Sequence, residues 1–136
     1  MRRSPADRWS YRATSFVQAK QQLTEYFSGE RHQFSLLLDL QGTPFQQQVW
    51  SALQTIPYGT TCSYSDVART IDRPKAVQAV GNANSSNPIP IIIPCHRVIA
   101  KDGSLSGFGG GSEIKLFLLQ LEQQFYEPKT RNFIRR

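Results

Sequence analysis

Cys95 and His96 stand side by side in "PIPIIIPCHRVIA", residues 88–100. A thiolate is a strong nucleophile, and a neighbouring imidazole raises the thiolate fraction near neutral pH. Adjacent side chains on an extended strand point to opposite faces. The pair therefore shares a site only where the chain turns, and Pro94 offers that turn. A histidine base also needs an orienting partner on its other nitrogen, usually a carboxylate. Glu122, next to Leu121 at the margin of an apolar stripe, is one candidate; on spacing alone Asp66 and Asp102 stay open. The other cysteine, Cys62 in "TTCSY", has no basic neighbour and reads as a small buried hydrophobe. Two cysteines make no disulfide framework, and CxxC spacing or paired histidines for zinc are missing. Alone, a Cys-His pair is a weak signal, and it also suits thiol proteases and metal sites.

The elements that must position the pair follow from periodicity and punctuation. "SFVQAKQQLTEYFSG" places Phe16, Val17, Leu23, Tyr26 and Phe27 near one helical face, with Gly29 as a stop. The dozen residues before it read as poorly ordered. In "HQFSLLLDLQG", Phe34, Leu36, Leu38 and Leu40 fall two apart, the pattern of a strand or extended segment. Thr43, Pro44 and Gln46 form a capping box with proline at the first helical position. The helix they open has the stripe Phe45, Val49, Leu53 and Ile56, and Pro57 and Gly59 end it. Ser63 and Asp66 form a second box, opening a short helix to Ile71. A tight turn at "DRP" leads to another helix from Pro74, so the two read as a helix-turn-helix. The second is rich in small residues, Ala76, Ala79, Gly81 and Ala83, which fits close approach of a partner or tight helix packing. "AKDGSLSGFGGGS" is a loop with five glycines between 103 and 111. Ser112 then caps a last helix whose apolar face is Ile114, Phe117, Leu118, Leu121 and Phe125.

Composition narrows the class. The chain has 136 residues, 39% hydrophobic and 19% charged, which describes one soluble globular domain with room for part of a second. No apolar run approaches the roughly 20 residues of a membrane helix. The start, "MRRSPADRWSYR", lacks the apolar core of a signal peptide, so an intracellular protein is expected, cytoplasmic at the nucleoid or nuclear. A formal net charge of +6 favours a polyanionic partner, nucleic acid foremost.

With these elements in order, "IPCHRVI" closely resembles the active-site signature of the O6-alkylguanine-DNA alkyltransferases, the methylated-DNA–protein-cysteine methyltransferases. The likeness continues through "GTPFQQQVWSALQTIPYG", "SYSDVA", "RPKAVQAVGNANSSNPIPIIIPCHRVI", "GSLSGFGGG" and "LLQLE", over about residues 42 to 123. It implies a mostly α fold with a small β component: a helical, winged-helix-like domain with a helix-turn-helix, preceded by a remnant of an α/β N-terminal domain. The domains expected are a short N-terminal segment, 1–41, the catalytic and DNA-binding domain, 42–125, and a basic tail, 126–136.

The resemblance implies that Cys95 takes the alkyl group from O6 of guanine, and also from O4 of thymine, once per molecule. His96 acts through water as its base, Glu122 orients His96, and Asn87 supports the network. Tyr64 donates a proton to the leaving base. Val98, Phe108, Gly109, Pro90 and Ser106 form the base pocket, with the Cys95 and Val98 carbonyls facing the exocyclic amine and the Gly109 amide facing O6. Gln78, Ala79, Gly81, Asn82, Ala83 and Arg97 meet DNA, and the second helix enters the minor groove. The implied partner is double-stranded DNA carrying O6-alkylguanine, bound by a monomer with no cofactor, metal or membrane. Three positions depart from the family. Gln78 replaces the usual arginine that fills the hole left by the flipped base. Phe108 stands for a frequent tyrosine. Ser106 stands for glycine in some members, which disfavours bulky groups such as benzyl. The competing readings are a non-catalytic alkyl-lesion binder and a thiol hydrolase using Cys95 and His96.

Overall fold

The computed structural model describes residues 5–103 and 112–126, and backbone contacts divide the chain into two units, residues 1–39 and 40–136. The N-terminal unit is led by helix α1, Pro5–Phe27. This helix starts well before the expected position: residues read as poorly ordered are helical from Pro5. It ends where Gly29 takes φ 85° and its N–H bonds to the Tyr26 carbonyl at 3.1 Å. Beyond it the chain folds back on the helix. Gln22 accepts from the Ser35 amide at 3.0 Å and donates to the Ser35 hydroxyl at 3.2 Å. Of the expected apolar face, Tyr26 is fully buried, with Phe34 at 5.7 Å between ring centroids. Phe16 and Val17 are exposed. Residues 33–40 form no strand; the two-residue alternation survives, with Phe34, Leu36, Leu38 and Leu40 less exposed than the residues between them.

The second unit holds helices α2, Pro44–Leu53; α3, Tyr64–Thr70; α4, Val77–Ser85; and α5, Ser112–Phe125. Its small sheet pairs β1, Cys62–Ser63, in parallel with β2, Val98–Ile99. The β component thus lies next to Cys95 rather than in residues 33–40. Both expected capping boxes form. Thr43 accepts from the Gln46 amide at 3.0 Å while the Gln46 side chain accepts from the Thr43 amide at 2.9 Å. Ser63 and Asp66 repeat the exchange at 3.1 and 2.9 Å. Each cap satisfies amides that the first helical turn leaves unpaired.

The core forms between α2, α3 and α4, around Val49, Trp50, Leu53, Val67, Ala68 and Val80. Trp50 ties α2 to α4, its indole N–H donating to the Ala83 carbonyl at 2.9 Å. Gly42 makes room for it: a Cβ there would lie 2.7 Å from the Trp50 ring. Helix α4 begins at Val77, not at Pro74, because Arg73–Ala76 closes as a turn, with the Ala76 amide on the Arg73 carbonyl at 2.9 Å.

Helix α5 is rotated from its expected setting. Its fully buried residues are Lys115, Leu118 and Glu122, three and four apart, while Ile114 and Phe117 are 48% and 55% exposed. Glu122 therefore lies at the centre of the buried face rather than at its margin. The helix begins at Ser112.

Candidate active site

The turn that the Cys-His pair needs is made by Pro94. Its φ of −79° and ψ of 67° are those of an inverse γ-turn. The Cys95 amide closes the turn on the Ile93 carbonyl at 2.8 Å. A single 3-10 turn, Cys95–Arg97, follows and runs into β2. It removes the opposite-facing constraint of an extended strand, and both side chains are buried and feel the charge of Lys115.

Upstream, Ile89 to Ile93 closes as a tighter loop, the Ile93 amide on the Ile89 carbonyl at 3.1 Å. Ile91 within it takes φ 78°, a left-handed setting that costs a branched residue about 1–2 kcal/mol. Asn87 holds the loop at both ends. Its amide nitrogen donates to the Ile93 carbonyl at 2.7 Å, and its oxygen accepts from the Ile89 amide at 2.9 Å. The same side chain also hydrogen-bonds the Cys95 sulfur.

Cys95 is 2% exposed, and burial pushes its thiol pKa up. The Asn87 hydrogen bond, the charge of Lys115 and the residue's own amide act against that rise. The resting thiol is thus protonated and needs a base. His96 is fully buried, and burial holds its pKa below 6.5 against the opposing pull of Glu122. Its Nε2 lies 2.6 Å from Glu122 Oε2. Its Nδ1 has no hydrogen-bond partner among the described residues. A neutral imidazole anchored at one nitrogen and open at the other is the arrangement of a general base.

Glu122 is the hub. Oε2 also accepts from Arg97 Nη2 at 2.9 Å, and Oε1 accepts from Arg97 Nε at 2.9 Å and the Gly59 amide at 3.2 Å. These donors outweigh desolvation and bring its pKa down to about 2. Gly59 takes φ 79°, and a Cβ there would lie 2.2 Å from the Tyr126 ring. Its carbonyl accepts from Gln123 at 2.7 Å, so two successive residues of α5 grip one glycine.

Tyr64 opens α3 and feels the charge of Cys95; burial first, then that charge, raises its pKa. Lys115 Nζ lies 6.0 Å from the Tyr64 ring centroid. Sequence reasoning missed Lys115; its spacing of seven from Glu122 was the available signal for a shared face. Asn84 was also missed: it is 1% exposed and reaches the Cys95 carbonyl with its amide nitrogen at 3.5 Å.

The expected DNA-facing residues divide. Gln78, Ala79 and Asn82 lie on the exposed side of α4, and Gly81 is half-buried beside the Tyr64 ring. Ala83 is 4% exposed and turned to the core, because Val80, Ala83 and Asn84 form the buried face. Arg97 is 6% exposed, its guanidinium engaged by Glu122 and, at 2.7 Å, by the Ile56 carbonyl. Both side chains are therefore turned inward rather than set on the surface as expected. Pro90 is exposed on the loop, and Val98 is buried with its amide on the Cys95 carbonyl. Phe108, Gly109 and Ser106 lie outside the described residues. Asp66 caps α3 and pairs with Arg69, and Asp102 lies on an exposed turn, which leaves Glu122 as the carboxylate on His96.

Among the described residues no group of three or more His, Cys, Asp and Glu side chains could hold a metal ion, and no helix is long and apolar enough to cross a membrane.

Comparison with known proteins decides the family. The DNA-binding domain model of the 6-O-methylguanine DNA methyltransferases matches residues 44–124, and the model of their ribonuclease-like domain matches residues 1–40. This chain belongs to that family. The constitutive methylated-DNA–protein-cysteine methyltransferase of Bacillus subtilis is 55% identical over 116 residues, 85% of this chain and 70% of its own length. A crystal structure of the Mycobacterium tuberculosis O6-methylguanine methyltransferase is 52% identical with a TM-score of 0.79, covering 87% of this chain and 72% of that one. One of Mycobacterium tuberculosis OGT in complex with DNA has the same identity and TM-score, covering 87% and 73%. As a methylated-DNA–protein-cysteine methyltransferase, the chain repairs DNA directly, by moving a methyl group onto a cysteine of its own.

Proposed function

We propose that Cys95 is that cysteine, and that it removes the alkyl group from O6 of guanine, and from O4 of thymine, in duplex DNA. The buried array of Cys95, His96 and Glu122 carries this reading: residues 26 apart in sequence meet at 2.6 Å, next in the chain to a buried thiol, and Lys115 acts on both the thiol and the imidazole. His96, neutral and held by Glu122, takes the thiol proton through water. The sulfur attacks the alkyl carbon in line; the S–C bond forms as the C–O6 bond breaks. Tyr64 gives its proton to the departing guanine ring, so the base leaves neutral. The thioether is not reversed, and one molecule serves once.

The reactive atom sits inside the helix, so the base is flipped out, at a cost of a few kcal/mol. Helix α4 offers Gln78, Ala79 and Asn82 to the minor groove, and small side chains there permit close approach. Phosphate contacts supply most of the affinity and little sequence preference. The Cys95 and Val98 carbonyls, the Gly109 amide, Pro90, Phe108 and Ser106 complete the base pocket in a protein acting as a monomer.

The test uses duplex DNA carrying labelled O6-methylguanine. Label moves to the protein once per molecule, and Cys95→Ala abolishes transfer. Repeated turnover points to a thiol hydrolase, and binding without transfer to a lesion-binding protein; either result overturns the proposal.

A further inference from the structure

We propose that Arg97 is a positioning residue of the transfer reaction: by chelating both oxygens of Glu122 it fixes the carboxylate under His96 and keeps that histidine neutral and ready as a base. The inference rests on the reading of His96 as the base. Two of the three guanidinium hydrogen bonds reach Glu122. Nε meets Oε1 and Nη2 meets Oε2, both at 2.9 Å, and Nη1 meets the Ile56 carbonyl at 2.7 Å. The first two form a bidentate fork, the geometry in which arginine fixes the plane of a carboxylate. His96 meets one oxygen of the same carboxylate at 2.6 Å.

A carboxylate alone against a buried imidazole draws a proton onto it. Here the carboxylate is shared with a permanent cation one residue away. The charges that face His96 are Glu122 and Lys115 from α5 and Arg97 from its own turn. Lys115 also faces Cys95. Tyr58, after α2, faces Glu122 and Arg97, and lies under the guanidinium at 5.5 Å. Tyr64 of α3 faces Cys95. Among these, Glu122 pulls a proton toward the imidazole, while Arg97 and Lys115 push it away. Removing Arg97 leaves Glu122 to act with one opponent instead of two.

The experiment compares wild type, Arg97→Lys, Arg97→Met and His96→Ala by single-turnover methyl transfer at saturating duplex, from pH 5 to 9. Duplex Kd is measured alongside. Arg97→Met is expected to move the acid limb of the rate upward by about one pH unit, a tenfold loss on that limb. The rate partly recovers at pH 9. Arg97→Lys, a point charge without the fork, falls between. Duplex Kd stays unchanged, because the guanidinium is buried. A second readout needs no variant and no DNA: NMR titration of the wild-type imidazole, expected to stay neutral to below pH 6.5. A His96→Ala protein that keeps the wild-type rate and limb overturns the base reading and this proposal together. A slow His96→Ala with the Arg97 limb unmoved overturns this proposal alone. So does a duplex Kd weakened tenfold at unchanged maximal rate, or a wild-type imidazole that protonates above pH 7.

Discussion

Replacing Glu122 by glutamine tests the centre of the site at nearly constant shape. Four donors converge on the two carboxylate oxygens: His96 and Arg97 on Oε2, Arg97 and Gly59 on Oε1. An amide has one oxygen, so its NH2 group must face two of those donors. The substitution also leaves the Arg97 cation buried without its counter-charge, which costs about 3–5 kcal/mol in comparable broken pairs. Linkage gives a second route to the number. A carboxyl held at about 2 rather than 4.5 contributes roughly 3 kcal/mol at neutral pH. Its folded pKa is depressed, so this stability is present above pH 4.5 and is lost as pH falls toward 2. His96, also depressed, adds to the acid-side loss from about pH 6.5 downward. Urea unfolding at pH 7 is expected to show Glu122→Gln less stable by about 3 kcal/mol or more. Repeating the series down to pH 3 should show the gap between the two proteins narrowing below pH 4.5, as Glu122 protonates in the unfolded chain while the folded one keeps it ionised. A loss below about 1 kcal/mol at pH 7, or a gap constant with pH, would falsify the account of Glu122 as a buried ionised hub.

Other outcomes follow from single contacts. Tyr64→Phe should slow single-turnover transfer on the order of 10²-fold, with duplex Kd and Tm little changed, since it removes one proton donor. Gly59→Ala should lower stability by about 2 kcal/mol or more, read by urea unfolding, because φ 79° and the Tyr126 ring both oppose a Cβ. Gln78→Arg on the exposed side of α4 should tighten duplex binding or speed transfer; no gain in either removes Gln78 from the flipping step. If the new cation meets phosphate, the slope of log K against log salt steepens by about 0.9.

Much of this was legible in sequence, for identifiable reasons. Both capping boxes were readable because caps are local: residues three apart exchange bonds with each other's backbones. The need for a turn at Pro94 followed from strand geometry alone. Glu122 was named as a candidate, but its place at the centre of α5's buried face was not. Apolar periodicity put Ile114 and Phe117 inside, whereas the face is set by the polar pair Lys115 and Glu122, whose burial depends on residues far along the chain. Arg97 misled for the same reason. The resemblance places it among the DNA contacts, and local pattern does not reveal the carboxylate 25 positions away that binds it. Ala83 was counted as a contact for DNA because small residues fit both a groove and a core, and only the helix's rotation separates the two.

The grip of α5 on Gly59, His96 and Arg97 bears on how the protein is made. Those three residues leave the ribosome before Glu122, which must travel back across 25 to 63 positions to reach them. Until it does, His96 has no anchor and Cys95 is an ordinary thiol, free of the neighbours that select its reaction. A nascent or partly folded chain thus carries a thiol that ionises more readily than the buried one, but it lacks the anchored imidazole, so selective transfer waits for the finished fold.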